Sequence, residues 1–296
     1  MKVLVLGNGE RRGVPEAADR LIPFIRQYAE VVCFDLYQER SLCDVEADLT
    51  LVLGGDGAIL RAARQMAYRQ MPVLGINLGK LGFLADLTPD EFCECFPRVV
   101  RGDYRITQHI MFECIVSGSE GTRTLPGLNE IAVHTGPPYH MLELDLAVDG
   151  ESVTAYRGDG LIISTPVGST AHNLSAGGPI LGQELDAFVI TPICPHTLTN
   201  RPIVDSAGKE YTITIHGEPT NTMVVVDGQE HVAVEPGHRV TVRRAPCRFR
   251  LVKVPGRSYY QTLRDKLRWG VPPNYRDELA GGRPTPRVPG PEEPIV

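Results

Sequence analysis

A glycine-flanked aspartate at the end of an apolar run, Leu51-Val52-Leu53-Gly54-Gly55-Asp56-Gly57, is the pattern in this chain best suited to chemistry. Three apolar residues followed by Gly-Gly-Asp-Gly predict a buried strand of a parallel sheet that delivers the Asp56 carboxylate to its C-terminal edge. The glycines allow a sharp turn and the approach of a ligand without an intervening Cβ. Ala58–Arg69 reads as a helix, whose unpaired first amides would attract anions beside the carboxylate. That combination suits phosphoryl transfer to a hydroxyl. The same residues also suit an ordinary strand-turn-helix corner capped by Asp56, and the motif alone leaves both readings open.

The second run, from Arg157 to Ile180, is the longest stretch of small residues in the chain. The apolar segment Leu161-Ile162-Ile163 leads into a turn crowded with Ser, Thr and Gly, then into a helix start around His172. Hydroxyls and free amides in that order can hold a ribose or a phosphate. Ser169 does not lie in a G-x-S-x-G elbow, so a hydrolase nucleophile is not indicated. Taken singly, a Gly/Ser-rich loop without a ligand is the simpler reading.

The elements that must position these residues change character along the chain. Lys2–Leu6, Val31–Phe34, Asp48–Leu53 and Pro72–Ile76 read as strands, alternating with helices at Pro15–Tyr28, Ala58–Arg69 and Pro89–Arg101. Such alternation predicts a Rossmann-like parallel α/β domain over residues 1–103, with Asp56 and Asn77 at the ligand-binding edge. From Tyr104 short alternating strands take over: Phe112–Val116, Leu142–Asp149, Tyr211–His216, Met223–Val226, Arg239–Arg243 and Arg248–Val254. They predict a central antiparallel β-sandwich-like domain over 104–249. Helical spacing returns at Gln261–Trp269, in a segment assigned to 250–270. Residues 271–296 hold seven prolines and read as a Pro-rich, disordered tail.

Composition narrows the function classes. A net charge of −6 argues against nucleic acid or an anionic membrane as the main partner. Seven scattered cysteines form no pair of metal-ligand knuckles, so no protein-held metal is expected, and they fit a reducing, cytoplasmic setting. No apolar stretch approaches 18 residues, so no membrane span is expected.

Taken in order, the motifs become specific. Gly54-Gly55-Asp56-Gly57, Gly75-Ile76-Asn77-Leu78-Gly79-Lys80-Leu81-Gly82-Phe83-Leu84, Leu128-Asn129-Glu130 and the run from Gly158 closely resemble the NAD kinase family. Pro192–Pro202, Asp227-Gly228-Gln229 and Leu263–Gly270 are similar to it as well, so the resemblance covers roughly residues 1–270. It implies phosphorylation of the adenosine-ribose 2′-hydroxyl of NAD, with ATP or polyphosphate as donor. It also implies a last segment that returns to the first domain, and a homodimer or homotetramer whose sites are completed across subunits.

Carried over by motif, the resemblance makes Asp56 the general base or hydroxyl-positioning carboxylate, and Gly57 the residue allowing close approach. Arg61 would meet a phosphate. Asn129 and Glu130 would grip a ribose, and Asp159 would bind the amide, with Arg157 beside it and His140 nearby. Thr170, Ala171, His172, Asn173 and Ser175 would line the dinucleotide pocket and Gln229 would close it. Three positions depart from the family pattern: Ala58 where Thr is common, Val167 where Ser or Thr is common, and His172 where Tyr is common.

No G-x-x-x-x-G-K-[ST] loop is present, and Lys80 is the only lysine near either glycine motif. Donor charge would therefore be met by helix amides, Arg and Mg²⁺ carried on the nucleotide. Two other readings share parts of the pattern. A lipid or sphingoid-base kinase shares the Gly-Gly-Asp-Gly motif but would want an apolar cleft, against the polar Arg157–Asn173 run. A catalytically idle NAD(P)-binding regulator would keep Asn129 and Asp159 without turnover.

Overall fold

The computed structural model describes residues 1–269 other than 41, 43, 80, 81, 119, 120, 138, 218–220, 235, 236 and 257. Lys80 and the tail at 271–296 lie outside the described residues. The chain divides into two compact units, Met1–Arg257 and the chain from Ser258 onward.

The first unit opens with β1 (Lys2–Gly7), α1 (Val14–Ile25), β2 (Glu30–Asp35), β3 (Leu49–Leu53), α2 (Asp56–Met66), β4 (Val73–Ile76) and α3 (Pro89–Val100). The strands pair in parallel in the order β2-β1-β3-β4. β3 is buried along its whole length because helices cover both faces of the sheet. Leu21 and Ile25 of α1 pack with Phe92 and Phe96 of α3 on one face; Ile59, Ala63 and Met66 of α2 pack on the other. α3 begins where Thr88 and Glu91 cap each other reciprocally and Pro89 occupies the first turn.

The chain then becomes antiparallel: β5 (Arg105–Gly118), β6 (Gly121–Gly127), β7 (Glu130–Thr135), β8 (Leu142–Val148), β9 (Glu151–Gly158) and β10 (Gly160–Ser164). A 3₁₀ turn at Gly168–Thr170 leads to the single-turn α4 (His172–Ser175), followed by β11 (Ala187–Ile193), β12 (Ile203–Ser206), β13 (Tyr211–Ile215), β14 (Thr222–Val226), β15 (Glu230–Ala233) and β16 (Arg239–Lys253). One sheet runs β12-β11-β10-β7-β14-β15. It faces β8, β13 and the first half of β16 across a core of alternating residues, Leu142, Leu144, Leu146, Ile213 and Val242 against Ile131, Val133, Leu161, Ile163 and Val224. The expected α/β plus β-sandwich architecture is the one observed.

The two halves share a strand. The sequence pattern predicts separate strands at Arg239–Arg243 and Arg248–Val254, but β16 is continuous. Its register on β5 shifts between Arg244 and Arg248, where a bulge absorbs Pro246, which has no N–H to give a ladder. Its first half pairs with β13 and its second reaches β4 in parallel at Leu251↔Val73, so β16 carries the chain back into the parallel sheet. In the second unit, α5 (Tyr259–Leu267) is capped by Ser258, whose Oγ accepts from the Gln261 N–H at 3.1 Å. No described helix is long and apolar enough to cross a membrane.

Candidate functional site

In a sheet ordered β2-β1-β3-β4, the connections leaving β1 and β3 diverge, which opens a crevice at their C-terminal ends. A cavity of about 430 Å³ lies there, lined by Asn8, Arg11 and Arg12 from the loop after β1, Gly54, Gly55, Gly57 and Arg61 around the start of α2, Asn77 and Gly79 after β4, and Gln229. Val14 and Ala58 also line it, so the N-termini of α1 and α2 both open onto it. Three guanidinium groups and two helix ends make a strongly anion-attracting space. Among the described residues, no carboxylate lines it. The donor set therefore suits a polyphosphate chain with its own counter-ion, not a bare divalent cation. Among the described residues, no cluster of three or more His, Cys, Asp or Glu could hold a metal.

Asp56 sits between two of the lining glycines and is itself the first residue of α2, two residues earlier than the apolar pattern suggests. Its Oδ1 accepts from the N–H groups of Leu84 (2.9 Å) and Ala85 (3.0 Å), and its Oδ2 from that of Phe83 (2.8 Å). The loop after β4 comes this close because residue 82 is glycine: a Cβ there would stand 2.0 Å from Asp56 Oδ1. An ionised carboxylate offers about four acceptor positions. With three taken, Asp56 is rigidly oriented and Oδ2 keeps one position for a hydroxyl.

A second carboxylate repeats this device. Asp227, buried in the turn between β14 and β15, accepts from the N–H groups of Leu128 (2.9 Å), Asn129 (2.7 Å) and Glu130 (3.2 Å). Burial nevertheless pushes its carboxyl up to about 6. From the same turn, Gln229 Nε2 donates to the Gly57 carbonyl at 2.9 Å while Gln229 Oε1 accepts from Arg64 at 2.9 Å. The turn thus clamps Asn129 and Glu130 on one side and the first turn of α2 on the other. Asn129 Oδ1 and Glu130 Oε2 are buried with no hydrogen-bond partner among the described residues, which is costly unless a ligand supplies one. Burial, and after it the Asp227 charge, push the Glu130 carboxyl up to about 8.

The Ser/Thr/Gly run closes over the same place. The Asn129 carbonyl accepts from the Thr165 N–H at 2.8 Å, and the His172 backbone N–H donates to Glu130. Thr170 Oγ1 is turned back to the Val167 carbonyl at 3.2 Å, with Ala171 following at the entry to α4. Asn173 is completely buried: its Nδ2 donates to the carbonyls of Ser169 and Pro179 and its Oδ1 accepts from Thr191. Its side chain therefore braces the loop, while His172 and Ser175 on either side are exposed. Partial desolvation, then the charge of His134, hold the His172 imidazole below its ordinary pKa. Val167 is buried beside α2 residues in the core, a position where a methyl replaces a hydroxyl without leaving a polar atom unpaired.

The structure brings together Asp56, Gly57, Arg61, Asn129, Glu130, Gln229 and the 170–175 segment. It does not bring His140, Arg157 or Asp159 to them. Ser164 pairs with Glu130 at one end of β10, whereas Asp159 precedes Gly160 at the other. At a strand rise of ~3.4 Å per residue, five steps separate them by roughly 17 Å. His140 Nδ1 lies 3.1 Å from Thr135 Oγ1, at the far end of β7 from Glu130. Arg157 pairs with Glu143 at 2.9 Å on the exposed face of β8 and β9.

Sequence reasoning missed Arg11, Arg12 and the gripping role of Asp227. The Gly-Asn-Gly-Glu-Arg-Arg-Gly loop after β1 obeys the same strand-edge rule as Asp56, so its arginines carried a readable signal. Asp227 carried only the Asp-Gly turn signal.

Two family models match the chain: the ATP-NAD kinase N-terminal domain over residues 8–104 and the ATP-NAD kinase C-terminal domain over residues 128–254. The chain is 48% identical over 269 residues to a NAD kinase of Rhodopirellula baltica, covering 90% of this chain and 86% of that one. It is 42% identical to a NAD kinase of Geotalea daltonii, covering 76% and 80%. Among solved structures it is similar to an NAD kinase from Archaeoglobus fulgidus in complex with ATP, with a TM-score of 0.69, 29% identity, and coverage of 90% and 99%. Yeast NADH kinase complexed with NADH shares the fold at a TM-score of 0.83 and 22% identity, covering 91% and 88%.

Proposed function

The chain belongs to the NAD kinase family, and we propose that Asp56 orients the adenosine-ribose 2′-hydroxyl of NAD against a donor phosphate held in the arginine-lined cavity. The enzyme is a phosphotransferase that converts NAD to NADP with ATP as donor. One observation carries the proposed geometry: a carboxylate fixed by three backbone N–H groups, with one oxygen position to spare, between two glycines that line an anion-attracting cavity.

Phosphoryl transfer asks the protein mainly to position reactants and offset charge. Asp56 Oδ2 takes the hydroxyl's proton or holds it in line. Arg11, Arg12, Arg61 and the amides of α1 and α2 hold the donor. Asn129 and Glu130, whose Oδ1 and Oε2 atoms have no partner among the described residues, hold the ribose. Mg²⁺ carried on the donor phosphates would offset part of their charge, and the described lining of the cavity offers it no protein cage. Thr170, Ala171, His172 and Ser175 flank the dinucleotide, braced from behind by Asn173.

His140, Arg157 and Asp159 belong to a separate edge of the sandwich. Their distance from Glu130, with Asp159 exposed, supports a homo-oligomer in which this edge serves a neighbour's site. The lipid-kinase reading finds no support in a cavity of arginines and glycines. Mixing the protein with NAD, ATP and Mg²⁺ and scoring the product with an NADP-specific dehydrogenase tests the reading. Steady NADP formation supports it. NAD binding without turnover would leave the idle regulator.

A further inference from the structure

We propose that Tyr37 is a stacking platform for the base of the donor, so that the site selects a nucleoside triphosphate over inorganic polyphosphate. The proposal rests on reading the arginine-lined cavity as the donor site.

Tyr37 is a large aromatic residue left 56% exposed. Its ring lies directly on the loop after β1: a Cβ on Gly9 would stand 2.4 Å from Tyr37 Cζ and 2.7 Å from its hydroxyl oxygen. Gly9 adjoins Asn8, a lining residue of the cavity, and is followed by Arg11 and Arg12, which line it too. The ring is not itself a lining residue, but it packs on the loop whose Asn8, Arg11 and Arg12 line the cavity.

The loop that carries Tyr37 is built, not loose. The Asp35 carboxylate at the end of β2 accepts from the N–H groups of Tyr37 (3.0 Å), Glu39 (3.2 Å) and Arg40 (3.1 Å), and from Gln65 Nε2 of α2 at 3.0 Å. The Gly9 N–H donates to the Leu36 carbonyl at 2.9 Å, joining this loop to the one after β1. The two loops are thus tied to each other and to the helix that begins at Asp56. Guanidinium groups and helix amides are suited to engage the phosphates. A π-face held in place on the adjoining loop offers a stacking surface to the base, and it tolerates any base.

The test uses the full-length protein and equilibrium titrations with two probes, Mg-ATP and Mg-tripolyphosphate. Stacking of this kind predicts that Tyr37→Ala weakens ATP binding roughly tenfold while tripolyphosphate binding stays within about twofold. Tyr37→Phe, which keeps the ring, should bind ATP as the wild type does. Equal loss of both probes in Tyr37→Ala would make the ring a support for the loop and overturn the proposal, as would unchanged ATP binding or a loss shared by Tyr37→Phe. Arg61→Ala separates the premise: it should weaken both probes. If it binds both normally, the cavity is not the donor site, and the assignment of Tyr37 falls with it.

Discussion

Replacing Glu130 by glutamine should stabilise the ligand-free protein, and more so as the pH rises. Burial and the neighbouring Asp227 charge move the Glu130 carboxyl from an ordinary 4.5 to about 8. The folded state therefore holds a proton that the unfolded chain releases, and folding loses stability as pH rises between those two values. At 1.36 kcal/mol per pH unit, the full penalty is on the order of 5 kcal/mol above pH 8 and vanishes below about 4.5. Glutamine has the same shape and no charge to desolvate, so it escapes the penalty. Between pH 6 and pH 9 its advantage over the wild type should grow by about 2–3 kcal/mol, or about 5–10 °C in melting temperature for a chain of this size. Thermal melts of both proteins without NAD, at pH 6, 7, 8 and 9, read this directly. A melting-temperature difference that stays constant over that range would mean Glu130 is ionised throughout, and the protonated, buried carboxyl would have to be abandoned.

Two further outcomes follow from the same geometry. His172→Tyr should hold or tighten NAD affinity and remove the acid limb of its pH dependence, since the imidazole titrates below its ordinary value and a charged ring stacks poorly; NAD titrations from pH 5 to 8 would show it, and a large loss of affinity at every pH would mean the histidine makes a specific hydrogen bond. Mixing Asp56→Asn subunits with Asp159→Ala subunits should restore some activity under the proposed homo-oligomer, in which Asp159, roughly 17 Å away along β10, serves a neighbour's site; inactive oligomers shown to be mixed would place both residues in one chain's site.

What the sequence disclosed was local. The Gly54–Gly57 motif, the strand-helix alternation and the alternating Leu142–Val148 each state their structure within a few residues, because period and turn chemistry are short-range signals. The contacts that assemble the site are not of that kind. Gln229 reaches Gly57 across 172 positions, and Asp227 reaches Leu128 across 99, so no window along the chain contains both partners. Asn173 shows the limit of a motif from the other side: the run that carries it was readable, but its burial and three hydrogen bonds depend on Thr191 and Pro179 folding over it. Likewise Pro246 predicts a break in β16, and only the pairing with β5 turns that break into a bulge.

Asp56 is the centre of the proposed chemistry, and the decisive measurement is Asp56→Asn beside the wild type in the NAD, ATP and Mg²⁺ assay. Asparagine can keep the hydrogen bonds from Leu84 and Ala85 through its oxygen, but its amide then faces the Phe83 N–H and cannot take a hydroxyl proton. NAD and ATP binding, followed by titration, should persist within a fewfold, while NADP formation falls by about 10²–10⁴. An Asn variant that binds both ligands and forms NADP at the wild-type rate would contradict that role for Asp56.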